Sequence, residues 1–406
     1  MRFVHAADLH IDSPLCGLDA YDGAPVERVR EATRRALTNL VQLCLDERAA
    51  FLVLAGDVFD GEWKDFNTGL FFLRELNRLR DTGTRVYLVR GNHDAASEVT
   101  RSLTWPAHVR VFADDRAETA ILDEHGVALH GLSYPRRDVK DSLVPLYPAP
   151  IDGALNIGVM HTNAEGRPGH ANYAPCRVDE LVRKGYDYWA LGHVHAHEIL
   201  HTAPWVVFPG NTQGRHIRES GPKGAVVVSV ERGQVTGVRH APLDVVRWQK
   251  IALTLAADDG VDELYDQARE AFGRARDEAE GRVLAARLVV DGATRAHATV
   301  AAERERVVGE LRARALDFGD ALWLEKVELR TRPPVALDEL RGSEGFVGEL
   351  LRAVDDARRD PALAAELRAQ LQPLVEKLGD ELGGDVDVAA LLDEVEAHLV
   401  SALVAP

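Results

Sequence analysis

Five short polar clusters in the first half of the chain carry residue types that hold metal ions. They are Asp8-Leu9-His10, Gly56-Asp57-Val58-Phe59-Asp60, Gly91-Asn92-His93-Asp94, an isolated His161, and Gly192-His193-Val194-His195. Carboxylate, amide and imidazole donors without a thiolate suit borderline divalent ions, with Mn²⁺ first and Fe²⁺ or Zn²⁺ as alternatives. Two ions about 3.5–4 Å apart need a shared ligand with two oxygens, and Asp57 is the candidate bridge. The glycine before it lets the backbone turn sharply. Asp8 and His10, two apart in an extended segment, would point to the same side and reach one ion. Asn92 supplies an oxygen without a charge, which leaves two dications under-neutralised and attractive to a phosphate.

Each cluster follows an apolar run that reads as a buried strand, at residues 3–7, 51–55, 86–89, 157–160 and 188–191. Further strand-like runs occupy 128–132, 206–208 and 225–230, and helical spacing covers 26–49 and 68–80. Strands with helices between them early, and closer-spaced strands later, predict an α/β sandwich with mixed sheets. Polar residues just past the carboxyl ends of such strands can gather in one crevice. One Asp-x-His alone is an ordinary turn or cap, as is one Gly-Asn-His. Five clusters in this order, each at a strand exit, are not.

The pattern changes near residue 245. Strand-like runs at 251–255, 283–290 and 321–329 alternate with helical stretches at 261–275 and 295–315, enough for a small α/β module. Arg332-Pro333-Pro334 then breaks the chain, and residues 335–404 read as acidic helices rich in Leu, Ala and Glu. The expected domains are therefore 1–244, 245–332 and 333–406.

The formal charge of −17 argues at first sight against a nucleic-acid partner. Residues 333–406 hold 16 acidic and 6 basic side chains, so the rest of the chain carries only −7. Cys16, Cys44 and Cys176 are few, odd in number and widely spaced, which supports neither a disulfide framework nor a zinc ribbon. No apolar run is long enough to span a membrane, and the amino terminus lacks the pattern of a signal peptide, so a cytoplasmic location is expected. Trp63, Trp105, Trp189 and Trp205 read as packing residues.

The five clusters resemble the motifs of the calcineurin-like metallophosphoesterase superfamily: Asp-x-His, Gly-Asp, Gly-Asn-His-Asp/Glu, His and Gly-His-x-His. Within it, residues 3–10, 55–60, 188–195 and Pro209-Gly210-Asn211-Thr212-Gln213-Gly214-Arg215-His216 are similar to the DNA repair exonucleases. These include the nuclease subunit of the bacterial SbcCD complex and the YhaO type. The resemblance implies a four-layer α/β/β/α sandwich with a small α/β cap domain and a helical C-terminal segment. It assigns Asp8, His10, Asp57 and His195 to one metal, and Asp57, Asn92, His161 and His193 to the other. It places His93 beside the scissile phosphate as a catalytic residue, with Asp94 orienting it. Asp60 is a ligand-supporting residue or a helix cap, and Arg215 and His216 either contact the substrate backbone or satisfy loop carbonyls. His197 and His201 have only proximity to the last motif and read as structural.

The expected activity is a two-metal phosphodiesterase, a DNA repair exonuclease in which the ions supply a bridging hydroxide as nucleophile. His93 would stabilise the phosphate or protonate the leaving oxygen. The resemblance implies DNA as substrate and an SMC-like coiled-coil ATPase as an associated subunit, with a homodimer as one compatible assembly. No membrane is involved. The leucine-rich helical stretches at 347–351 and 363–374 could dock such an ATPase or pack within the chain. Two alternatives share the residues: a phosphatase or phosphodiesterase acting on a nucleotide or phosphoprotein, and a non-cutting subunit that senses DNA ends.

Overall fold

The computed structural model describes residues 1–13, 31–60, 66–96, 103–167, 171–334 and 337–378, and beyond them 388, 391–393 and 395–396. Cys16, Trp63 and the beginning of the helical pattern at 26–49 lie outside the described residues.

Short apolar runs become strands because both of their faces are covered. β1 (Arg2–Ala6), β2 (Phe51–Ala55) and β3 (Arg85–Val89) run parallel at the centre of a six-stranded sheet. β4 (Val109–Val111) forms one edge. On the other side β11 (Gly224–Glu231) pairs antiparallel with β1, and β12 (Gln234–Pro242) forms the second edge. A second six-stranded sheet has the order β5 (Glu118–Leu122), β6 (Val127–Gly131), β7 (Leu155–His161), β8 (Tyr188–Gly192), β10 (Trp205–Phe208) and β9 (Glu198–Thr202). Its β6, β7, β8 and β10 are parallel.

Alternation along each strand divides the residues between two cores. Phe3, Phe51 and Val53 of the first sheet pack with Ile157, Val159, Tyr188 and Ala190 of the second. Val4, Leu52, Leu54 and Leu88 face outward onto α1 (Ala32–Asp46) and α2 (Phe66–Arg80) through Leu37, Leu40, Val41, Phe72 and Leu76. The outer face of the second sheet, through Met160, Trp189, Leu191 and Phe208, packs on Tyr134, Tyr147 and α4 (Val178–Arg183), which contributes Leu181. The expected four layers, α/β/β/α, are therefore present. α3 (Asn92–Ala96) is a single short turn of helix directly after β3.

β13 (Val246–Thr254), β14 (Val283–Ala293) and β15 (Leu322–Arg332) form a three-stranded sheet. The chain separates into two compact units, and the division falls within these strands, after Gln249, Ala286 and Glu325. The first unit holds both six-stranded sheets. The second holds α5 (Val261–Glu278) up to Ala275, with the outer parts of the three strands and the remaining helices. The single helix expected over 295–315 is two, α6 (Ala296–Ala302) and α7 (Arg304–Leu316), because Glu303 leaves helical geometry at φ −129°. No Gly or Pro marks that break.

The acidic tail folds as α8 (Leu337–Gly342), α9 (Phe346–Arg359) and α10 (Pro361–Leu378). Leu351 and Val354 of α9 are buried, and Arg341 and Arg358 both pair with Glu396. Cys44 and Cys176 are free and buried. Among the described residues, no helix is long and apolar enough to cross a membrane.

Candidate metal centre

Parallel strands bring their carboxyl ends to one edge of each sheet, and there the five clusters converge. Asp8 and His10 follow β1, Asp57 and Asp60 follow β2, and Asn92, His93 and Asp94 form the turn after β3. His161 ends β7, and His193 and His195 follow β8. Three groups of side chains each bring their ligand atoms within 4.8 Å of one another: Asp8, His10 and His195; Asp57, His161 and His193; and His10, Asp60 and His93.

The backbone makes this convergence differently from the extended geometry expected for Asp8 and His10. Both are left-handed, at φ 53° and 41°, as are Asp57 at 53° and His193 at 101°. Such conformations cost non-glycine residues about 1–3 kcal/mol each and persist only where surroundings enforce them. The enforcement is visible: Asp8 and His10 donate their N–H groups to the carbonyls of Gly56 and Asp57 at 3.0 and 3.1 Å. Two strand exits are thereby clamped together. A Cβ on Gly91 would overlap Asp57 Oδ1, so the close approach of these loops requires glycine there.

Imidazole orientation is set by the nitrogen facing away from the cluster. His161 donates from Nδ1 to the Ala55 carbonyl at 2.9 Å, which turns Nε2 toward Asn92 Oδ1 at 3.0 Å and Asp57 Oδ2 at 3.4 Å. His193 donates from Nε2 to the Ala171 carbonyl at 2.8 Å, which leaves the lone pair on Nδ1. His195 donates from Nδ1 to Glu219 Oε1 at 2.7 Å, and its Nε2 lies 3.2 Å from His10 Nε2 and 3.8 Å from Asp8 Oδ1. Asp8 also accepts the His193 backbone N–H at 2.9 Å.

His93 and Asp94 separate in a way the sequence did not indicate. The buried Asp94 carboxylate accepts backbone N–H groups from Val58 at 3.0 Å, Phe59 at 3.1 Å and Gly91 at 3.1 Å. It braces the loops after β2 and β3. The carboxylate at His93 is Asp60, whose Oδ1 lies 2.8 Å from His93 Nδ1 and 3.7 Å from His10 Nδ1. Three amides thus hold Asp94, and Asp60 is a carboxylate within hydrogen-bond distance of the His93 ring. The His93 backbone N–H donates to Asp57 Oδ1 at 2.9 Å.

Residues 1–197 match the family model described as calcineurin-like phosphoesterase, and residues 248–332 match the middle domain of metallophosphoesterase YhaO. The chain is 33% identical over 296 residues to the uncharacterized metallophosphoesterase YhaO of Bacillus subtilis, covering 72% of each chain. It belongs to the calcineurin-like metallophosphoesterases. More distant are two proteins named DNA double-strand break repair protein Mre11. That of Methanopyrus kandleri is 25% identical over 234 residues, covering 52% of this chain and 49% of its own. That of Haloferax volcanii is 26% identical over 274 residues, covering 66% and 58%. This metallophosphoesterase thus spans less than two thirds of either repair protein.

The family consists of hydrolases with a binuclear divalent metal centre, and the residues of this metallophosphoesterase fit one. Burial pushes the Asp8 carboxyl up to about 7, with the Asp57 charge adding to the effect. Burial opposes ionisation of Asp57 too, but His161, His10 and His93 hold it well below the usual carboxylate range. Burial would lower His161, yet Asp57 and Asp8 raise it to about 9. The two carboxylates therefore call for positive charge between them. Burial keeps His10 and His195 neutral, the latter lowered to about 4, which is the form that binds metal. His10 Nδ1 is buried without a hydrogen-bond partner.

Glu219 was not evident from the sequence, since it belongs to no cluster and follows His195 by 24 positions. Arg215 donates from Nη2 to Glu219 at 3.2 Å and from Nη1 to Ser13 Oγ at 3.3 Å, while His216 lies 3.7 Å from Glu219. His197 and His201 bond the Phe208 and Pro204 carbonyls at 3.0 and 2.7 Å, as structural histidines do. Trp189 is buried and donates to the Leu181 carbonyl at 3.1 Å, Trp105 packs beside α2, and Trp205 packs against the core between the sheets.

Proposed function

We propose that this metallophosphoesterase is a two-metal DNA phosphodiesterase, an exonuclease of the DNA repair type. The observation that carries the reading is that donors from five separated strand exits arrive in groups whose ligand atoms lie within 4.8 Å of one another, Asp8 with His10 and His195 and Asp57 with His161 and His193, while Asn92 Oδ1 lies 3.0 Å from His161 Nε2. Asp8, His10, Asp57 and His195 would hold one divalent ion, and Asp57, Asn92, His161 and His193 the other, with Mn²⁺ the favoured metal. When bound, such a pair supplies a nucleophilic hydroxide at neutral pH and neutralises charge on the phosphate.

The chain's own groups do the rest. His93 is partly exposed beside the cluster, and Asp60 sustains its proton against burial, raising its pKa above the ordinary value. It is thus equipped to donate that proton to the departing oxygen or to a phosphate oxygen. Asp94 fixes the loops that carry Asp57 and Asn92. The DNA assignment is supported by the likeness to the Mre11 repair proteins and by residues 209–216, whose Arg215 stands at His195. An SMC-like ATPase partner, a homodimer and a cytoplasmic location belong to the same proposal, as do a cap at 245–332 and a separate helical tail.

The test is hydrolysis of linear DNA, a chromogenic phosphodiester and nucleotides by the purified Mn²⁺-loaded chain, with Asp57→Ala excluding a contaminant. Cleavage of linear DNA from its ends is expected. Turnover of nucleotides with DNA untouched would overturn the DNA assignment while leaving the metal centre standing. Binding of DNA ends without any hydrolysis would favour the non-cutting regulatory reading.

A further inference from the structure

Glu219 lies between β10 and β11, outside every motif that defines the family. Its side chain is 7% exposed, and burying a carboxylate is costly unless hydrogen bonds and opposite charge surround it. Four donors do so. Oε1 accepts from His195 Nδ1 at 2.7 Å and from Arg215 Nη2 at 3.2 Å. Oε2 accepts from the Arg215 backbone N–H at 2.7 Å and from Asn211 Nδ2 at 2.9 Å.

We infer that Glu219 is a positioning residue for the half of the metal centre formed by Asp8, His10 and His195. The inference rests on the two-metal reading above. A carboxylate on Nδ1 assigns the His195 proton to that nitrogen and places the lone pair on Nε2, which faces Asp8 and His10. Ring orientation and ligand basicity are both set this way in metal sites. The other three contacts fix the carboxylate itself, so that it cannot follow the imidazole if the ring rotates. The loop is also tied to the main chain of the ligand, through Lys223 Nζ to the His195 carbonyl at 2.7 Å. The outer nitrogens of His161 and His193 bond main-chain carbonyls instead.

The consequence is selective: loss of Glu219 weakens one of two metal sites. Mn²⁺ binding to the full chain, followed by calorimetry, should resolve two ions in the unsubstituted protein. Glu219→Gln keeps the size and removes the charge. It should weaken one site about 10–100-fold, leaving the other near its original affinity and the metal-free circular dichroism unchanged. Glu219→Asp retains charge at shorter reach and should weaken the same site less; it carries the test if Glu219→Gln does not fold. Two sites of unaltered affinity in Glu219→Gln, or equal weakening of both, would overturn the inference. Fewer than two ions on the unsubstituted chain would instead overturn the two-metal reading.

Discussion

The two halves of the candidate metal centre are built from the same kinds of residue but supported differently. Around His10, His195 and the neighbouring His93, the outer groups are carboxylates, Asp60 and Glu219. Around His161 and His193 they are the carbonyls of Ala55 and Ala171. A carboxylate raises imidazole basicity more than a carbonyl does, and one substitution can remove it. A carbonyl belongs to the backbone, so no single side-chain replacement abolishes it. The first half is therefore adjustable through the Asp60 and Glu219 side chains, in a way that the main-chain carbonyls at the second do not allow.

The largest break in this comparison is expected at Asp57, the proposed bridge between the halves. Asp57→Ala should abolish metal binding in both and reduce hydrolysis to background, as read by metal analysis and a phosphodiesterase assay. Retention of two tightly bound ions would contradict a bridging role. His93→Ala should leave metal content nearly intact and lower kcat by about 10²–10⁴-fold, the usual contribution of a general acid. Full activity in that variant would remove His93 from the reaction. Asp60→Asn tests the support of His93, and at longer range of His10: a fall of roughly 10–100-fold is expected, smaller than for His93→Ala and without loss of the second half's metal.

The smallest effect concerns His5, a buried histidine outside both halves, bonded through Nε2 to the Leu191 carbonyl at 3.0 Å and through Nδ1 to Tyr188 Oη at 3.0 Å. Burial lowers its pKa from 6.5 to about 3. Its folded-state pKa lies below the unfolded value, so the unfolded chain takes up the proton first. Stability should accordingly fall as pH drops from about 6.5 toward 3, with about 2 kcal/mol lost at pH 5 from this group. His5→Gln should show a flatter dependence between pH 7 and 5 in urea unfolding of the metal-free protein. An unchanged slope would show that His5 is not the acid-sensitive group.

Much of this was legible in the amino-acid order. The central strands were recognisable because each is an apolar run covered on both faces, and the clusters were recognisable because each adjoins such a run. The strands that escaped notice, β4, β5, β9 and β12, are the four edges of the two sheets. Edge strands are half-exposed, as the alternating burial of β12 illustrates, and carry no continuous apolar signal. The division of roles between Asp60 and Asp94 was equally hidden. Both are acidic residues near a motif histidine, and only the three amides converging on Asp94 distinguish them.

Sequence alone determined which side chains could bind metal and that they stand at strand exits, because ligand chemistry and strand patterning are local properties. Tertiary structure decided how they meet: left-handed turns at Asp8, His10, Asp57 and His193 in place of an extended approach, Asp60 at His93, and Glu219 behind His195. These depend on contacts between segments distant in the chain, where hydrogen-bond geometry rather than residue type selects the partner.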